Sequence, residues 1–182
     1  MGNKYIAYQK VLAFAPIRAV CILLFACAGT SKKMENERGK YVNILNIKKI
    51  PQDKYDLSAF GFSDMGAWHA YSLPATDSLN YYGGFCGPLL MKNSGTWLGN
   101  LSSKLLIVNN KNELEHFAGQ HSELNYYPGK LEQKHKNSHF EILQELLFAD
   151  NRTALFTYTI KNIGAQKSAF KIRLENKFFD NG

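Results

Sequence analysis

Five histidines and fifteen carboxylates are the groups in this 182-residue chain that could move protons or hold a metal. His135 and His139 stand four apart, a spacing that on a helix brings two imidazoles to one zinc ion. Here the turn-like Lys136-Asn137-Ser138 separates them and no HExxH pattern accompanies them. Surface histidines are the plainer reading, and no metal or cofactor is expected. Sugar hydrolysis would need two carboxylates facing each other across a cleft. Glu132, Glu141, Glu145 and Glu175 lie in strand-like runs beside charged or polar neighbours, the pattern of solvated faces. Asp64, in FSDMGAW, is the one acid embedded in an aromatic, glycine-rich loop. It is a candidate site residue, or else a turn residue whose carboxylate accepts backbone N–H bonds. A nucleophile elbow, a Walker loop and a dinucleotide fingerprint are all missing from the sequence. Gly83-Gly84-Phe85-Cys86-Gly87 fits neither phosphate-binding spacing.

Beside Asp64 runs GAWHAYSLP, residues 66–74, where Trp68 and His69 stand together between a Gly and a Pro. Trp68, Trp97 and the pairs Tyr81-Tyr82 and Tyr126-Tyr127 have the ring area to stack on sugars. Packing in a core is the commoner fate of such aromatics.

The elements that must position these residues read as strands. Aromatics make up 13% of the chain, and such side chains suit a pleated, half-buried surface. Residues 55–88 are rich in Gly, Pro, Ser and aromatics, which predicts loops with short strand pieces and sharp turns at Gly83-Gly84 and Gly87-Pro88. SKLLIV, residues 103–108, is a compact apolar strand, followed by the turn NNKN. KLEQKHK, residues 130–136, follows the turn signal YYPG. From Ala154 to Ile160 and from Phe170 to Glu175, apolar residues alternate with polar ones, the mark of a strand with one buried face. Residues 139–149, HFEILQELLFA, match a helical stripe and a strand face equally well, and their strand neighbours decide for strand. The turn-like links DNR and NIGAQ predict an antiparallel meander through these last strands. The expected fold is all-β, an antiparallel sandwich over residues 41–182, with Cys86 as a small buried apolar residue.

The first residues are different. Lys4, Lys10 and Arg18 precede Cys27 with no acid among them, which leaves +4 of the formal +7 for the rest of the chain. Elsewhere Lys and Arg are scattered among acids rather than gathered into a patch, so no nucleic-acid partner is expected. The basic start, the apolar run AVCILLFA at residues 19–26 and the small polar run after it have the layout of a secretory signal. That run is too short to span a membrane as a helix, which takes about 20 residues. LFAC, residues 24–27, resembles a bacterial lipobox. The resemblance implies a signal peptide over residues 1–26, a lipidated Cys27, a flexible tether over residues 27–40, and a membrane-anchored product in the periplasm or on the outer membrane or cell surface. A plain secretory signal, or a short buried segment, are the alternatives.

FSDMGAWHAYSLP, GGFCGP, YYPGKLEQ and LLFADNRTALFTYTIKN together resemble the N-terminal β-supersandwich domain of glycoside hydrolase family 63, over about residues 55–182. Asp64, Gly66, Ala67, Trp68 and His69, then Gly83, Gly84, Phe85 and Gly87, stand at the family's positions. The resemblance implies an enzyme that cleaves α-glucosidic bonds of oligosaccharides by inversion, with its carboxylates in a downstream helical barrel. No catalytic residue carries over to this chain. The sandwich is expected to be incomplete, and Asp64, Trp68 and His69 are expected at a substrate rim or domain interface. A stand-alone carbohydrate-binding surface lipoprotein is the second reading, and an interaction module with no sugar role the third.

Overall fold

Alternating apolar residues in the second half of the chain set up two facing layers of strand. The computed structural model describes residues 39–180, apart from 93–94, 117–120, 166 and 168. The expected signal peptide, Cys27 and most of the expected tether lie outside the described residues. Ten strands follow in chain order: β1 (His69–Ser72), β2 (Cys86–Leu90), β3 (Thr96–Trp97), β4 (Gly99–Asn109), β5 (Leu114–Glu115), β6 (Ser122–Tyr127), β7 (Lys130–Lys136), β8 (Phe140–Phe148), β9 (Ala154–Asn162) and β10 (Phe170–Phe178). The protein is all-β and its sheet pairings are antiparallel.

One layer is the meander β6-β7-β8-β9. The other consists of two three-stranded sheets, β1-β2-β3 and β10-β4-β5, linked by a bridge between Phe85 and Ser102. Phe62, Tyr71 and Phe85 from the second layer pack with Leu124, Leu131, Leu146 and Phe148 of the first. Further along, Leu105 and Ile107 of β4 pack on Phe140 and Ile142 of β8. Tyr158 of β9 ties the layers by donating its hydroxyl hydrogen to the Ser103 carbonyl at 2.6 Å.

Four expectations are corrected. The β9–β10 connection is not a hairpin, since β10 crosses to pair with β4. Gly87-Pro88 is no turn between strands but a cis peptide bond inside β2. The expected buried face of β10 is open, with Ile172 55% and Leu174 48% exposed. Finally, His135 is no surface histidine and Glu132 no solvated acid: they are 1% and 4% exposed.

Candidate functional site

Residues Asp64 to Ala67 make a tight turn, in which the Asp64 carbonyl accepts the Ala67 N–H at 3.0 Å. Its two central residues, Met65 and Gly66, both have left-handed backbone angles, φ 53° and 67°. That is the type I′ pattern, which Gly adopts freely and Met only under strain. The Asp64 carboxylate accepts the Met65 N–H at 2.7 Å, and the Ser63 hydroxyl donates to the Ala67 carbonyl at 3.0 Å. These bonds fix the approach of the next two side chains.

Trp68 and His69 then point to opposite sides, as alternation along an extended chain requires. Trp68 is 68% exposed. Its backbone is held from both sides: its N–H donates to the Asn151 carbonyl at 3.3 Å and its carbonyl accepts the Met91 N–H at 2.9 Å. Met65 and Met91 are exposed as well, and the indole stands on a backbone that is hydrogen-bonded on both sides. His69 turns inward. Its ring lies 5.2 Å from that of Phe148 and 5.7 Å from that of Tyr71. Both of its nitrogens are buried without a hydrogen-bond partner, an arrangement costing about 1–3 kcal/mol.

Of the other aromatics expected to meet sugar, Tyr81 and Tyr127 are half-buried and the rest belong to the interior. Trp97 is 1% exposed and donates its indole N–H to the Asp56 carbonyl at 2.9 Å. Tyr82 and Tyr126 are buried too. Burial pushes the Cys86 thiol up to about 12, so it is no nucleophile at neutral pH.

Two glutamines that carry no motif in the sequence hold the glycine pair. The Gln133 carbonyl oxygen accepts the Gly83 N–H at 3.1 Å, and its amide donates to the Gly84 carbonyl at 2.6 Å. Gln144 donates to the Gly83 carbonyl at 2.9 Å. Both glutamines are fully buried. His135 sits beside them, with Nδ1 2.8 Å from the Ser122 hydroxyl. Burial lowers its pKa to about 4. The signal in the sequence was the alternation Leu131-x-Gln133-x-His135, which places two polar side chains on the inner face of a strand.

On the outer face, Lys130 bridges Glu132 and Glu145, at 2.6 Å from each, and Lys134 reaches Glu132 at 3.0 Å. Burial raises the Glu132 carboxyl, but hydrogen bonds from the two lysines outweigh it and hold the group below its ordinary value. These carboxylates are therefore neutralised in an ion-pair cluster. Among the described residues, no group of three or more His, Cys, Asp or Glu could hold a metal ion.

An antiparallel β-sandwich with a tied turn presenting one exposed Trp defines a β-domain with an aromatic rim. The chain belongs to the family described as glucosidase YgjK, N-terminal, which matches residues 38–181. This is the N-terminal domain of the glycoside hydrolase family 63 type that the motifs resemble. No curated protein matches the chain.

Proposed function

We propose that this chain is the non-catalytic leading domain of an exported glycoside hydrolase that cleaves α-glucosidic bonds of oligosaccharides by inversion. In this reading the acid and base carboxylates belong to a helical barrel outside residues 38–181. The basic and apolar start of the chain directs export, and lipidation of Cys27 anchors the product to a membrane. The observation that carries the reading is the family match over residues 38–181. The ion-paired state of Glu132 and Glu145 supports it, because hydrolysis needs one acid and one base free to exchange protons across a cleft. Trp68 supports it from the other side. An indole 68% exposed on a hydrogen-bonded turn offers a large ring with one polar N–H, the kind of side chain enriched at interfaces. Its partner in this reading is the barrel, near the substrate entrance.

Two experiments test this. The 182-residue chain alone, incubated with α-linked glucose disaccharides, releases no glucose; turnover above the blank would overturn the non-catalytic role. With the domain joined to a family barrel, Trp68→Ala raises KM several-fold and leaves the melting temperature of the domain unchanged. An unchanged KM removes the rim role. A stand-alone carbohydrate-binding lipoprotein is the second reading. The exposure of Trp68 favours it, while the burial of Trp97, Tyr82 and Tyr126 removes half of its proposed stacking platform.

A further inference from the structure

At the end of the sandwich where β4 meets β5 and β10 begins, a cleft of about 390 Å³ opens between the two layers. Residues remote in sequence meet there: Asn109, Glu115, His139, Phe140, Asn162 and Phe170 all line it. Phe140 is buried and props the ring of half-buried Phe170 edge-on, at 5.3 Å and 77°. The polar residues are held in place from behind. Asn109 accepts the Lys111 and Glu113 N–H groups through its carbonyl oxygen and donates to Glu115 Oε1 at 3.1 Å. The His139 carbonyl accepts the Ile163 and Gly164 N–H groups, at 2.8 and 3.3 Å. Asn137 donates to the His116 carbonyl at 3.1 Å, which ties the β7–β8 turn to the residue after Glu115. Glu115 Oε2 and His139 Nδ1 remain 3.9 Å apart, beyond direct hydrogen bonding.

We propose that this cleft is a binding subsite for a neutral saccharide, separate from the Trp68 rim. Its size falls in the range of small-molecule sites. An aromatic floor suits the C–H face of a sugar ring. Glu115 and His139 offer acceptors for sugar hydroxyls, and the Asn162 side chain beside them is fixed by the Gly164 N–H, which its carbonyl oxygen accepts at 2.9 Å. A carboxylate accepting a hydroxyl makes a stronger bond than a neutral acceptor. Lys167 also lines the cleft, so its formal charge balances that of Glu115 and the cleft favours neither an anion nor a cation; among the described residues too few ligating groups gather for a metal. The ligand class follows from the cleft's own chemistry; the choice of an α-linked glucan as first probe rests on the glucosidase reading above.

The test is a titration of the isotope-labelled 182-residue chain with maltotriose, and separately with cellotriose, to about 10 mM, where binding near the millimolar level saturates. The His139 imidazole resonances shift saturably while the Trp68 indole resonance does not. Glu115→Gln weakens binding roughly tenfold or more with an unchanged circular-dichroism melt. Where that melt does shift, His139→Asn replaces it and gives the same weakening. The site is overturned if neither sugar moves His139, or if both variants bind as the parent does. A shift with cellotriose alone keeps the saccharide site and counts against the α-glucosidic reading. A shift with neither leaves the family assignment untouched.

Discussion

Strands β8 and β10 are the same length and carry the same kind of pattern, yet they end in opposite environments. In β8, Ile142 and Leu146 are 1% and 0% exposed; in β10, Ile172 and Leu174 are 55% and 48% exposed. If anything, the alternation of apolar and charged residues is cleaner in β10. The difference lies in the neighbours. β8 is flanked by β7 and β9 and faced by β4 across the core. β10 pairs with β4 on one side, and no second strand joins it among the described residues. Alternation thus specifies which side of a strand is apolar. Whether that side is covered depends on strand order, which is a long-range property.

The comparison can be broken or sharpened by measurement. The largest effect is expected from Leu146→Ala, which opens a cavity in the closed region and costs about 4 kcal/mol, read by urea denaturation. Next comes Gln133→Leu, which strands the Gly83 N–H and the Gly84 carbonyl inside the core. We expect a loss of about 3 kcal/mol, again by urea midpoint; a neutral result would show that the glycine pair is held by other means.

Acid should strike the same region. His135 titrates near 4 in the folded chain and near the ordinary 6.5 when unfolded. The unfolded chain therefore takes up the proton first. The stability that this group confers is complete above pH 6.5 and drains away as pH falls from there toward 4. Between pH 7 and pH 5 the loss is about 2 kcal/mol, and His135→Gln flattens the stability profile over that interval. The smallest effect is Leu174→Ala, the same deletion as at Leu146 but on the open strand. It costs less than about 1 kcal/mol. A cost near that of Leu146→Ala would mean that β10 is covered in solution.

The local pairing in the second half was legible because turns and strand alternation are encoded within a few residues. The ambiguous run at residues 139–149 is a strand, and Gln144, a polar residue on its otherwise apolar inner face, donates to the Gly83 carbonyl and so belongs to that face. What was not legible depended on contacts far apart in the chain. KLEQKHK looks solvated until Gln133 and His135 are seen to meet residues 82–84 from a different layer. The cleft at Glu115 and His139 has no motif, since its parts run from Asn109 to Phe170. At the Trp68 end the motif located the turn, but the opposite orientations of Trp68 and His69 needed the structure.

The pairing of β10 with β4 has a consequence for how the chain is made. Phe170 lies opposite Asn109, so β4 leaves the ribosome roughly sixty residues before its partner. At about 5–20 residues per second, that is an interval of roughly 3–12 s. During it the four-stranded meander can form from neighbours in sequence, while β4 waits with one edge open. Assembly of this domain is thereby ordered in time, meander first and crossover strand last, and the slow step belongs to the strand pairing of longest sequence separation.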